Sequence, residues 1–207
     1  MKGKGEYILA ITGASGAILG VRLLERLRSL GFEVHLILSR EARAILREET
    51  GREPKALSSL ASFSYAEEDL SAPLASGSFV APNIRAMVVV PCSMKTLAAI
   101  AGGYADNLIT RAADVVLKEG KELLLVVRES PFNAIHLENM LKMALLGVRI
   151  IPAMPCFYQR PKTVEELVDQ MVSRILDQLG IHGKEGSRWK GRRPRVEGRK
   201  RVKRPRS

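Results

Sequence analysis

Gly13, Gly16 and Gly20 punctuate the stretch LAITGASGAILG, with Ser15 between the first two. Small residues at a strand-to-helix turn let backbone N–H groups approach a phosphate or a polar ring edge, and the helix N-terminus favours negative charge there. Ser15 is then either a spacer in the turn or a hydroxyl that touches the ligand. Further along, Arg111 and Lys118 are seven residues apart, two helical turns, so both lie on one helix face. Such a face is either solvated or a clamp for phosphate oxygens, with Arg giving forked donors and Lys a compact charge. Arg128 and Glu129 stand side by side after an apolar run, offering a cation and a carboxyl for proton transfer, or else an inert salt bridge.

Several nucleotide chemistries are excluded by what these positions lack. The glycine spacing is GxxGxxxG rather than GxGxxG, and the second apolar run ends in Ser39 and Arg40 instead of the acidic residue that holds an NAD ribose. Arg40 would suit an NADP phosphate, but the Tyr-x-x-x-Lys spacing that follows, YQRPK at 158–162, carries Pro161 and so cannot be a hydride-transfer pair on one helix. No GxxxxGK[ST] phosphate loop is present, and there is no aspartate-rich DDxxD segment to gather magnesium. Flavin mononucleotide (FMN) remains: it needs one phosphate site and polar contacts to a ring, but no second ribose.

The elements that must position these residues follow from hydropathy. Apolar runs at 7–12, 33–39, 86–91, 123–127 and 148–152 read as strands buried on both faces, with a weaker sixth at 77–81. Leu19, Leu23, Leu24, Leu27 and Leu30 recur at helical steps up to Gly31. Further helices are expected at 40–49, at 94–101, from a cap at Asp106 to Lys118, at 135–146, and after Thr163, with Glu166 completing a capping box. Residues 51–85 show little periodicity. Strand and helix alternation predicts an α/β fold: a three-layer, doubly wound parallel sheet of the Rossmann or flavodoxin type. Its ligands bind at the carboxyl ends of the strands, at 13–16, Ser39, 91–96, 128–131 and 152–158. His136 reads as a helix-start residue with a packing role, and Leu137, Leu141 and Leu145 as core or an oligomer contact.

With 207 residues and 46% hydrophobic content, the chain can build one compact domain. The net charge of +11 is concentrated at one end: twelve Lys or Arg lie between Lys184 and Arg206 against Glu185 and Glu197. Residues 1–183 are therefore expected to be the domain, and 184–207 a basic tail, solvated or bound to a polyanion such as nucleic acid. Cys92 and Cys156 have no zinc-ligand spacing and read as free thiols in a reducing compartment. No apolar window is long enough to cross a bilayer and the start carries no cleavable signal pattern, so a soluble cytoplasmic protein is expected, with no membrane partner.

Taken in order, TGASGA (12–17), APLASGS (72–78), VVPCSMKTLAAIAGGYADNLITRAADVVLKE (89–119), VVRESPFNAIHLENMLKMALLGVRIIPAMPCFYQRP (126–161) and VSRILDQLGI (172–181) resemble the UbiX-type flavin prenyltransferases. These were formerly called aromatic acid decarboxylases. The resemblance covers 7–181 and omits the basic tail. It implies a metal-independent enzyme that moves a dimethylallyl group from dimethylallyl phosphate to N5 and C6 of reduced FMN, the product passing to a UbiD-type decarboxylase. By resemblance, Gly13, Ala14, Ser15, Ser39, Ser93, Met94, Lys95, Thr96 and Arg128 line the FMN site. Arg111, Lys118, Arg128, Tyr158 and Arg174 hold the prenyl phosphate, and Ser15, Glu49 and Glu129 are catalytic. A homododecamer with sites near subunit contacts is also implied. One departure is the loop before APLASGS, where Leu70 and Ser71 stand in place of the aromatic residue common in the family. The alternatives are a decarboxylase of the phosphopantothenoylcysteine type, which would present a catalytic His and an Asn-rich motif, or a flavin- or nucleic-acid-binding module.

Overall fold

The computed structural model describes residues 5–182; the basic segment 184–207 lies outside the described residues. Six strands, β1 (Glu6–Ile11), β2 (Glu33–Leu38), β3 (Phe63–Ala66), β4 (Ile84–Cys92), β5 (Glu122–Val127) and β6 (Arg149–Pro152), form one sheet in the order β3-β2-β1-β4-β5-β6. All five pairings are parallel. Eight α-helices connect them: α1 (Ala17–Ser29), α2 (Arg40–Thr50), α3 (Pro54–Leu60), α4 (Gly77–Asn83), α5 (Met94–Gly102), α6 (Leu108–Lys118), α7 (Ala134–Leu145) and α8 (Val164–Gln178).

Strand alternation divides the interior into two cores. Tyr7, Leu9 and Ile11 of β1 face α1, α2, α3 and α8, through Leu23, Leu24, Leu46, Leu57 and Val172. Ile8 and Ala10 face α4 to α7, through Val80, Leu97, Val115 and Met143. Both strand faces are covered, which is why the runs read as continuous Val/Ile/Leu and why the doubly wound expectation holds.

Four expectations are corrected. The run at 148–152 is not buried on both faces: it forms β6, an edge strand paired only with β5, whose residues are partly buried or exposed. Residues 77–81 are the start of α4, not a strand: only Val80 is buried, and the N–H groups of Phe79 and Val80 both donate to the Ser76 carbonyl. The sixth strand is β3 inside the poorly periodic stretch, where Phe63 and Tyr65 pair with His35 and Ile37. It is a four-residue edge strand, FSYA, in which Ser64 and Ala66 alternate with the aromatics, so its hydropathy signal is weak. The α6 cap is Asn107, whose Oδ1 accepts from Thr110 N at 3.1 Å; Asp106 instead accepts from Asn107 Nδ2 at 3.2 Å. Thr163 caps α8 as expected, but Glu166 accepts from the Lys162 N–H (2.6 Å), so the capping box is not closed.

Gly20 is where α1 comes closest to the sheet. A Cβ there would lie 2.7 Å from the Val90 carbonyl oxygen and 2.6 Å from Ile11 Cδ1. Backbone on one side leaves little room to yield. Gly20→Ala is expected to lower stability by about 1–3 kcal/mol through overpacking, outweighing the ~1 kcal/mol intrinsic helix gain. Chemical denaturation checks this: an unchanged midpoint would mean that α1 can move away from β4 without cost.

Candidate active site

The winding direction reverses between β1 and β4, and this switch point opens a crevice at the carboxyl ends of the strands. Thr12, 1% exposed, braces it. Its hydroxyl donates to the Pro91 carbonyl at 2.8 Å and accepts from the Ser93 N–H at 2.8 Å, tying the end of β1 to the end of β4.

The turn after β1 closes through Ala14 N–H to the Thr12 carbonyl at 2.8 Å, and Gly16 sits at φ 103, in the region that favours glycine. Gly13 admits close approach: a Cβ would stand 2.6 Å from Glu41 Cβ. The N–H groups of Gly13 and Ser15 have no hydrogen-bond partner among the described residues, and Ser15 is exposed. The next two amides are occupied. Glu49, from the last turn of α2, accepts from Gly16 N at 2.9 and 3.1 Å and from Ala17 N at 2.9 Å. The carboxylate thus fills the positive end of α1 and stands beside Ser15. Its neighbour Glu48 has no such contact among the described residues.

Ser39, 5% exposed, caps α2 by accepting from Ala42 N at 3.1 Å and donates to Glu41 Oε2 at 3.2 Å. Ser93 caps α5: its Oγ accepts from Thr96 N at 3.2 Å and lies 3.0 Å from Thr96 Oγ1. Thr96 is buried, Met94 packs on the α4-to-α7 core, and Lys95 extends outward to Glu41 Oε1 at 3.4 Å. Arg128 and Glu129 leave the end of β5 on the same edge. The Arg128 N–H donates to the Cys92 carbonyl at 3.2 Å, while Glu129 Oε1 accepts from Ser130 N at 2.9 Å. Among the described residues the two side chains form no ion pair with each other, so the inert salt bridge is not what the chain builds.

The expected phosphate clamp is not gathered at this crevice within one protomer. Lys118 ends α6 with three residues between it and β5, beside Glu119 and Gly77, whereas Arg128 leaves the far end of β5. Six residues of strand put ~20 Å between them. Arg111, one turn into α6, donates to the Ala75 carbonyl at 3.2 Å and to Asp114 Oδ2 at 2.8 Å. Arg174 is exposed one turn above the end of α8, the end where Arg149 Nη1 reaches the Gln178 carbonyl at 2.8 Å. Tyr158, 61% exposed in the short turn Phe157–Gln159, follows the carboxyl end of β6.

Thr12 and Glu41 were not singled out by sequence reasoning. A threonine before a glycine turn and an acidic residue in the first turn of a helix are both ordinary in sequence, and only their cross-strand contacts distinguish them. Burial and the nearby Glu41 and Glu68 push the Glu67 carboxyl up, although its acceptance from Arg40 N acts in the opposite direction. Glu41 is held below the usual carboxylate value by its own backbone N–H and by Lys95 and Ser39, against desolvation.

Among the described residues no group of three or more His, Cys, Asp or Glu is arranged to hold a metal, and no helix is long and apolar enough to cross a membrane. A family model described as Flavoprotein matches residues 1–176. A probable UbiX-like flavin prenyltransferase of Bacillus subtilis (strain 168) is 50% identical over 189 residues, covering 91% of each chain. The chain belongs to the UbiX-like flavin prenyltransferase family. Two solved structures extend this family likeness to the fold. A dodecameric FMN-dependent UbiX-like decarboxylase from Escherichia coli O157:H7 superposes with TM-score 0.87 at 48% identity, over 90% of this chain and all of that one. AnUbiX, solved with FMN and dimethylallyl pyrophosphate, gives 0.84 at 44%, over 91% and 99%. Family membership agrees with the donor set of the crevice, which suits a flavin mononucleotide: two amides without partners in the glycine turn, the Ser39 and Ser93 hydroxyls, Lys95 and Arg128.

Proposed function

We propose that the protein is a flavin prenyltransferase that joins the dimethylallyl group of dimethylallyl phosphate to N5 and C6 of reduced FMN, for delivery to a UbiD-type decarboxylase. The observation that carries this reading is that the nine FMN-lining positions expected from the resemblance all follow the carboxyl ends of β1, β2, β4 and β5, the four strands around the switch point. Gly13, Ala14, Ser15 and Ser39 lie on one side of the switch point, and Ser93 to Thr96 and Arg128 on the other. The histidines offer nothing comparable to a decarboxylase site. His136 lies in the α7 cap with Asn133, His35 is buried between Glu6 and Tyr65, and His182 pairs with Asp177. Formation of a flavin heavier by one five-carbon unit tests the reading.

Reduced FMN supplies the nucleophile; the chain supplies charge and proton handling. Cleavage of an allylic C–O bond develops positive charge on the prenyl carbons and negative charge on the departing phosphate. Lys118, Arg111, Arg174 and Arg128 balance the phosphate, and Tyr158 donates a neutral hydroxyl. Glu129 carries a proton to the departing oxygen or takes the C6 proton. Glu49, fixed by the α1 amides, holds negative charge on the side of Ser15. The Ser15 hydroxyl is assigned to the hydrogen bond at N5. Ser15→Ala is then expected to slow prenyl transfer at least tenfold with FMN still bound, since a hydrogen bond to a group that changes charge contributes about 1.5–3 kcal/mol. Full activity would return Ser15 to the role of spacer.

We place Lys118, Arg111 and Arg174 in the sites of neighbouring subunits of a homo-oligomer, a dodecamer by analogy with the E. coli relative. The α7 face supports assembly: Leu137, Leu141, Leu145 and Leu146 are 54–79% exposed, a patch that a monomer would leave in water. The segment 184–207 is proposed as an appendage outside the 1–183 domain, solvated or in contact with polyanions. Its deletion is expected to leave prenyl transfer unchanged and to remove any salt-sensitive binding to nucleic acid; loss of activity would place it in the site. Two free cysteines support a reducing, cytoplasmic location.

A further inference from the structure

Glu41 has no assigned part in the reaction, yet it engages three residues of the flavin crevice. Its Oε2 accepts from Ser39 Oγ at 3.2 Å, its Oε1 lies 3.4 Å from Lys95 Nζ, and its Cβ occupies the space that a Gly13 side chain would need. The contacts span the switch point: Glu41 follows β2, Lys95 follows β4, and β1 with Gly13 runs between them. Both side chains are mainly exposed, 52% for Glu41 and 75% for Lys95, so the ion pair lies across the mouth of the crevice and not in the core. The first amide of α2, that of Arg40, is likewise filled by Glu67. An anion arriving at this side therefore meets a lysine and a serine hydroxyl that already have an anionic partner.

We propose that Glu41 is a resident anion that the FMN phosphate displaces from Lys95 and Ser39, so that Glu41 sets flavin affinity and eases departure of the prenylated product. The inference rests on the FMN reading of the crevice. A carboxylate in the first turn of α2 also favours that helix through its dipole. That role alone would change stability and leave FMN affinity untouched.

The test is FMN binding to the full chain, by quenching of flavin fluorescence, for wild type, Glu41→Gln, Lys95→Met and the double variant, each at low and high salt. Removing one carboxylate ~6 Å from a phosphate dianion in solvent is worth roughly a 3- to 10-fold change in affinity. Glu41→Gln is thus expected to bind FMN about 3- to 10-fold more tightly at low salt, with the gain shrinking as salt rises. In the Lys95→Met background the gain should fall to less than half of that factor. Unchanged or weaker binding by Glu41→Gln, or the same gain in both backgrounds, would overturn the proposal. Failure of the wild-type protein to bind FMN at all is a separate outcome, which removes the flavin reading and this inference with it.

Discussion

Lys118→Ala is expected to leave FMN affinity within about twofold of wild type while raising the dimethylallyl phosphate concentration for half-maximal turnover ~10- to 150-fold, the worth of one charged hydrogen bond at 1.5–3 kcal/mol. The split follows from position. Lys118 ends α6 at the amino-terminal edge of β5, away from the glycine turn and Ser39, so removing its charge in one protomer leaves that protomer's flavin crevice intact. Its present partner is the adjacent Glu119, an exposed pairing of the kind that contributes little, so the ammonium would be readily given to a phosphate in the proposed assembly. A reversed pattern, with FMN lost and the donor requirement unchanged, would mean that the two subsites are exchanged. The same placement predicts complementation: Lys118→Ala and Glu129→Gln subunits, each impaired alone, should regain turnover when co-assembled, because some mixed sites then contain both wild-type groups. No recovery would put both residues in one protomer's site.

Glu129→Gln is expected to keep FMN and to slow single-turnover prenyl transfer by ~10²- to 10⁴-fold, the usual worth of a positioned acid or base. The carboxylate is exposed at the end of β5, makes one hydrogen bond to the following amide and has no ion pair with Arg128 among the described residues. One oxygen is therefore free to exchange a proton, and glutamine retains the shape without that capacity. An unaltered rate would remove the acid/base role and leave Glu129 as a turn residue.

Much of this architecture is legible in the residues themselves. The Leu19–Leu30 period, the glycine turn, Thr163, four buried strands and the β6 edge strand need only local patterns, and the structure places them within a residue or two. FSYA was missed because Ser64 and Ala66 alternate with its two aromatics and leave no apolar run, whereas GSFVA was misread because Phe79 and Val80 mimic a strand in a helix too short to show its period. At the site, Ser15, Ser39 and the Ser93–Thr96 turn follow from the strand-end rule, and the family pattern adds Glu49. The contacts of Thr12 with Pro91 and Ser93, and of Glu41 with Lys95, join residues 79, 81 and 54 positions apart, which no local pattern reveals. The separation of Lys118 from Arg128, by contrast, follows from the expected elements, since the helix ends at Lys118 and a whole strand lies between it and Arg128.

The most direct measurement is the mass of the flavin recovered after the purified full-length protein is incubated anaerobically with reduced FMN and dimethylallyl phosphate in the presence of a metal chelator. The account predicts a flavin heavier by one five-carbon unit, formed with release of phosphate and absent from the Glu129→Gln reaction on the same timescale. Recovery of FMN at unchanged mass, from protein shown to have bound it, would contradict the prenyl-transfer function.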